Sequence, residues 1–343
     1  MMYLVYGSIL ASAWFVTVNL VSSLLVWSAI DRICGVTAAW SPATRARVLL
    51  ACRLLPTVAS IGFVAAVFIP SFGRFEPRHF DEGFGLVTTS MAVAGYALLA
   101  AAAYRGAQAI RESERRMAAW ICESKPIELG MENVRTLCVD AARPAMTLVG
   151  VIRPTLLVTR PLVDLLTREE MTAALDHERG HRRSWDNLKR LAIRSCADAL
   201  SWLPASSRLE QAWICSAEQA ADRVAAQDAS SGLALASALL KVARASLLPS
   251  PSTSRFTGSP ETLAPELQSP LVGGGGVVLQ ARVESLLEGT ERETSYSPTT
   301  LGPLTRVIVA IVVVAAGVVA FHAYAPVLES VHTATEIAVH HLP

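Results

Sequence analysis

The chain has 343 residues, 52% of them hydrophobic and only 17% charged, which is too apolar for an ordinary soluble domain, so part of it must lie in lipid. Lys and Arg (30) nearly balance Asp and Glu (29), leaving a formal net charge of +1 and excluding any sequence-wide attraction to nucleic acid. The six cysteines, at 34, 52, 122, 138, 196 and 215, include no Cys-x-x-Cys pair. They read as small buried apolar residues, not as a disulfide framework or a cysteine metal site.

A bilayer core about 30 Å thick needs about 20 apolar residues in helical form. Four uncharged runs bounded by charge reach that length: residues 2–30, 54–73, 83–104 and 307–328. Each is expected to be a helix, because no backbone group can stay unpaired in hydrocarbon. The first has no basic segment ahead of it and outruns a signal-peptide core, so it reads as a retained anchor. Arg32, Arg45, Arg47 and Arg53 follow the first run and Arg105, Arg111, Arg115 and Arg116 follow the third, whereas the loop 74–82 is mixed in charge. The positive-inside rule then puts both chain ends outside and residues 105–306 in the cytoplasm.

The cytoplasmic segment divides by composition. Residues 106–123 are charged and helical in pattern, and short β-like runs follow at 135–139, 145–149 and 155–159. Thr167-Arg168-Glu169-Glu170 is a capping box, which predicts a helix from residue 168. Further helices are expected over about 187–202, 207–228 and 277–288. Between them, residues 248–276 are rich in Ser, Pro and Thr and close on Gly273–Gly276, the composition of a flexible linker.

The helix from 168 carries Asp176-His177-Glu178-Arg179-Gly180-His181. Histidines four apart project from one face, so His177 and His181 are placed to ligate one zinc ion, with Glu178 as the base that polarises a water at the metal. These are the only two of the seven histidines in the large cytoplasmic segment. A catalytic zinc site needs a third protein ligand, and Glu218 is chosen for it. Asp222, one turn further on, is placed to accept the free ring N–H of a ligand histidine. Asp186-Asn187 is expected to cap the next helix. His332, His340 and His341 fall in the terminal tail, which is expected to be disordered and to give no defined metal geometry.

These residues resemble the BlaR/MecR family of integral-membrane zinc metallopeptidases, in the broader gluzincin group. The resemblance rests on Gly150-Val151-Ile152-Arg153-Pro154, on Leu165–Asn187 with its His-Glu-x-x-His, on Glu218-x-x-x-Asp222, and more weakly on Gln280–Leu287. It implies a mainly α protein: four transmembrane helices with a cytoplasmic α+β zincin-like peptidase domain inserted between the third and fourth. On that layout residues 1–105 hold three spans, 106–247 the peptidase domain, 248–303 a linker and juxtamembrane helix, 304–328 the fourth span and 329–343 an extracytoplasmic tail. The resemblance also implies Zn2+ on His177, His181 and Glu218, with a protein substrate such as a transcriptional repressor. The family's antibiotic receptors carry a large external penicillin-binding sensor after the fourth span, and this chain has none before Pro343.

A β-strand near 145–159 is expected to offer its edge to the substrate backbone. Two other readings compete: an HtpX-like quality-control peptidase, against which the four-span layout argues, and a non-catalytic membrane scaffold, which predicts loss of Glu178 or of a ligand.

Overall fold

The computed structural model describes residues 2–76, 85–121, 124–131, 133–201, 204–247, 268–270, 275–291 and 324–339. Three long apolar helical stretches meet the length and composition needed to cross a membrane: Met2–Thr37, Pro42–Phe75 and Leu86–Arg115. The first is α1 (Met2–Thr37). The second comprises α2 (Pro42–Phe63), a π-helical turn (Val64–Phe68) and α3 (Ile69–Phe75), and the third opens α4 (Leu86–Ile121). Each outgrows the uncharged run that announced it, because charge limits burial in lipid but not helix formation. Ser41 caps α2, accepting from the Thr44 N–H. Outward-facing Val21, Leu25, Val58, Ile61 and Val93 are exposed, as lipid-facing residues must be.

Small residues let these helices touch. A Cβ at Gly95 of α4 would lie 2.3 Å from the Ser12 carbonyl oxygen of α1, and the Ser12 hydroxyl donates to the Ala92 carbonyl at 2.7 Å. The π-helical turn sits just before Pro70, which has no N–H to offer the Ala66 carbonyl. That carbonyl accepts instead from the Tyr324 hydroxyl at 2.8 Å.

Tyr324 opens α11, residues 324–339. Most of the fourth expected span lies outside the described residues, as do His322, His340 and His341. Residues 329–339, expected to be a disordered tail, are helical. They pack on α1 and α3, with Val331 and Val339 against Tyr6, Leu10 and Phe68, because the run remains apolar at helical spacing past Glu329.

The rest of the chain builds a five-stranded sheet of order β1-β2-β4-β3-β5 with helices around it. Its strands are β1 (Lys125–Pro126), β2 (Arg135–Val139), β3 (Met146–Val149), β4 (Thr155–Thr159) and β5 (Gln268–Pro270). β2 and β4 are parallel, while β3 is antiparallel to both β4 and β5. The edge of β3, expected to stand open for substrate, is therefore covered by β5, which belongs to the segment read as linker. After α5 (Arg160–Leu165) come α6 (Arg168–Ser184), α7 (Asp186–Arg194), α8 (Pro204–Ala225), α9 (Ala229–Leu247) and α10 (Gly275–Glu291). α9 went unread in the sequence, and the remaining linker residues lie outside the described ones.

The capping box forms: Thr167 N–H donates to Glu170 Oε2 at 2.9 Å, and Glu170 N–H to Thr167 Oγ1 at 3.3 Å. α7 stops at Arg194 and does not run on to 202. Residues 195–201 turn instead and enter between the candidate spans, where side chains satisfy their backbone. Thr57 donates to the Ala197 carbonyl at 3.0 Å, the Ala199 N–H to Asn19 at 2.8 Å, and Arg105 to the Cys196 carbonyl at 2.8 Å. Asp198 receives Arg53 at 2.6 Å and Ser23 at 2.9 Å. Trp213 and Leu209 of α8 bury themselves against Ile30 of α1 and Leu49 of α2. Helix bundle and sheet domain are thus keyed into each other.

Candidate metal centre

The site is carried by two helices in close contact. Gly180 of α6 allows the approach, since a Cβ there would stand 3.0 Å from Ala221 Cα and 3.2 Å from Ala221 Cβ of α8. This brings His177 and His181 opposite Glu218 and Asp222, all four buried. His177 Nε2 and His181 Nε2 are 3.1 Å apart, and each lies 3.6 Å from a Glu218 oxygen. A tetrahedral ion with bonds of about 2.0–2.1 Å has ligand atoms roughly 3.3 Å from one another. The two 3.6 Å approaches fall on different Glu218 oxygens, and one donor atom from each of the three residues lies within 4.8 Å of the others, close enough for the three to hold a metal ion.

The outer ring nitrogens both lie against carboxylates. His177 Nδ1 faces Asp222 Oδ1 at 2.9 Å, the orienting role expected of Asp222. His181 Nδ1 bonds Asp186 Oδ2 at 2.8 Å. Asp186 was read as a helix cap, and that reading is corrected here. The N-cap of α7 is Trp185, held at φ 56° and ψ 38°, and this left-handed turn swings Asp186 back onto the preceding helix. Asn187 donates to the Leu148 and Gly150 carbonyls, both at 2.9 Å, fixing the end of β3 beside the site.

Arg282 of α10, quoted only as part of a weak resemblance, is fully buried and forks onto Asp222, with Nε at 2.8 Å and Nη2 at 2.6 Å. Its Nη1 lies 3.3 Å from Glu218. Arg190 of α7 approaches the other Glu218 oxygen at 3.5 Å and stands over the Trp213 ring. Neither arginine was legible as a site residue, because only the tertiary fold brings α7 and α10 to the histidines.

Four buried carboxylates, Glu178, Asp186, Glu218 and Asp222, thus face two buried guanidinium groups, with half-exposed Lys189 at the rim on Asp186. With Lys189 counted, carboxylates outnumber cations at the site by one, an excess that a bound cation offsets. Neither Glu178 oxygen has a hydrogen-bond partner among the described residues, a state that calls for a charge or donor at the site. The donor set therefore fits a divalent metal ion.

The ionisation of the metal-free cluster follows the same charges. Burial opposes a charged imidazole, but Glu218 and Asp186 outweigh it and push His181 up to about 10. His177 is raised likewise, Asp222 and Glu218 overcoming burial. Burial lifts Glu178 above the usual carboxylate range in spite of the two imidazoles. Burial also works against the Glu218 carboxylate, yet His181, His177 and Arg282 hold it well below that range. A metal ion bound through the imidazoles must displace any protons they carry.

A cavity of about 1240 Å³ opens beside His181 and Asp186, lined by Gly150–Thr155 and by Arg179, Arg182 and Arg183.

Fold and site together define a mainly helical protein with three candidate membrane helices, a small sheet and a buried His-His-Glu cluster able to hold a metal. Comparison with protein-family models returns no match, and neither does comparison with curated proteins.

Proposed function

We propose that the chain is a membrane-embedded zinc endopeptidase. Its metal would be held by His177, His181 and Glu218 in a zincin-like domain on the cytoplasmic side of four spans. The observation that carries the reading is the buried His177–His181–Glu218 cluster, one donor atom of each within 4.8 Å of the others, and beside it a Glu178 carboxylate with no hydrogen-bond partner among the described residues. Zinc there would supply Lewis acidity to a water and to a peptide carbonyl.

The chain's own residues do the rest. Glu178, its affinity for a proton raised by burial, takes the proton of the attacking water and returns it to the leaving amine. Asp222 and Asp186 fix the ring planes of His177 and His181 and hold the proton on the outer Nδ1 of each. Arg282 and Arg190 keep Glu218 and Asp222 ionised. The cavity floor along Gly150–Thr155 receives the substrate chain, and its arginines favour acidic side chains flanking the cut. Regulated removal of a cytoplasmic repressor fits such a site, with the loop charges setting the orientation.

The test is zinc content and cleavage measured together in detergent-purified full-length protein. Glu178→Gln is expected to keep one zinc at this centre and to abolish peptide hydrolysis, while His177→Ala and Glu218→Ala lose both. Wild-type protein that takes up no zinc at the centre would overturn the peptidase reading in favour of a scaffold. Wild type that holds zinc yet cleaves no peptide, like its Glu178→Gln variant, would leave the centre a structural one.

A further inference from the structure

A second group of metal-ligating side chains assembles from two distant parts of the chain. Glu76 follows directly on α3, while His332 and Glu336 stand one turn apart on a single face of α11. One donor atom of each lies within 4.8 Å of the others. His332 Nδ1 is 3.4 Å from Glu76 Oε2, and the Glu76 side chain is only 4% exposed. The cluster belongs to the far end of the bundle. The helical stretch Pro42–Phe75 runs 34 residues, about 50 Å along its axis. Its early residues Ala46 and Leu49 pack on α8, whereas Phe75 lies against α11.

The imidazole is held in one plane. The Phe75 ring stacks on it with centroids 5.5 Å apart and an interplanar angle of 21°. The helices that carry the donors are docked by hydrogen bonds of their own. The Ser71 hydroxyl donates to the Leu328 carbonyl at 2.7 Å, Tyr324 to Ala66 at 2.8 Å, and the Trp14 indole N–H to Thr335 at 3.1 Å. A preformed triad loses little freedom on binding, so more of the metal–ligand energy is realised as affinity. Two carboxylates gathered this closely, one of them nearly buried, repel each other less when a cation lies between them.

We propose that Glu76, His332 and Glu336 form a second divalent-metal site, separate from the His177–His181–Glu218 centre and at the opposite end of the spans. One nitrogen and two carboxylate donors suit a first-row transition ion such as Zn2+, whereas Ca2+ takes six to eight oxygen ligands. An ion there crosslinks the end of the second span to α11. If the zinc centre faces the cytoplasm, as proposed above, the second site faces outside and samples the external medium. The existence of the site does not rest on that orientation or on peptidase activity.

The experiment uses the full chain in detergent with His177→Ala and His181→Ala, which disable the first centre. Protein is dialysed against Zn2+, metal is measured by mass spectrometry, and the melting temperature is recorded with and without zinc. One equivalent of zinc and a zinc-dependent rise in melting temperature are expected. Adding Glu336→Gln, or separately His332→Ala, is expected to weaken binding at least tenfold and to remove that rise. An unchanged metal-free melting temperature shows that the fold survives. In the chain with an intact first centre, Glu336→Gln is expected to lower the zinc content by one equivalent. No zinc on the His177→Ala, His181→Ala protein, or zinc retained equally by the Glu336→Gln and His332→Ala variants, overturns the proposal.

Discussion

Gly180→Ala is the sharpest probe of how the metal centre is built. The added Cβ would meet Ala221 Cα at 3.0 Å and Cβ at 3.2 Å, a backbone contact that only a separation of α6 from α8 by a few tenths of an ångström relieves. α6 carries two ligands and α8 the third, so the whole shift enters the ligand triangle, whereas metal–ligand distances tolerate about 0.2 Å. The overpacking costs on the order of 1–3 kcal/mol, and about 1 kcal/mol of it is offset by the better helix propensity of Ala. The metal-free protein is thus expected to lose little stability while its zinc affinity falls on the order of tenfold or more. Gly35→Ala in α1, where nothing stands within 4 Å of a Cβ, is the matched control. The assay is zinc competition against a chromophoric chelator, with a melting curve of each metal-free protein. Gly180→Ala protein that binds zinc within twofold of wild type would refute the argument that this contact sets the ligand spacing.

Asp186→Asn, which takes a negative charge from His181, is expected to weaken zinc binding about 10–100-fold with little effect on folding; chelator competition reads both this and Asp222→Asn. The latter is expected to destabilise more, because it also strips Arg282 of its bidentate partner. Arg53→Ala leaves Asp198 buried without its cation and is expected to cost about 3–5 kcal/mol. The paired change to Arg53→Leu with Asp198→Leu should recover much of that loss in denaturant melts, and no recovery would show that the pair is not the cause. Glu170 gives the pH dependence. Burial opposes its charge, but Lys241 at 2.8 Å, Ser237 at 2.6 Å and the Thr167 N–H prevail and hold its pKa below the ordinary 4.5. A carboxylate depressed on folding stabilises the protein above its unfolded pKa and loses that contribution as pH falls through the lower folded value. Wild type should therefore lose stability below about pH 4.5 more steeply than Glu170→Gln, and parallel acid melts of the two would count against the Glu170 bridge from α6 to α9.

What could be read from the sequence was what local chemistry encodes. The strands at 135–139 and 155–159 showed as β-branched and apolar runs between turn residues, and the start of α6 was fixed by two reciprocal hydrogen bonds within four residues. His177, His181, Glu218 and Asp222 were brought to one point by helical periodicity and donor chemistry together. Asp186 was misread because its role depends on a tryptophan adopting a left-handed backbone, for which residue type gives no warning. Arg282 was passed over because it meets Asp222 across 60 residues, part of them in a segment that composition marks as linker. β5 is three residues long and has no alternation of its own, so only its pairing with β3 makes it a strand. The 195–201 turn was read as helix for a related reason: two of its backbone partners, Asn19 and Thr57, lie on runs read only as membrane spans, and Arg105 was read only as a charge that sets orientation.

Those same partners tie the candidate membrane helices to the candidate metal centre. α8 presents Leu209 and Trp213 to α1 and α2, and carries Glu218 and Asp222 about one and a half and two and a half turns beyond Trp213. The Trp213 face also receives Arg190, whose other contact is Glu218 itself. A rigid helix cannot shift at Trp213 while staying still at Glu218, since packed side chains transmit displacement. The loop 195–201, fastened by Arg53 and Asn19, clamps the preceding α7 and with it Asp186. Any rotation of α1 against α2 therefore acts on a ligand through α8 and on a ligand's orienting carboxylate through α7. The histidines of α6 follow only indirectly, so Glu218 is where a movement of the candidate membrane helices would first loosen or tighten the cluster.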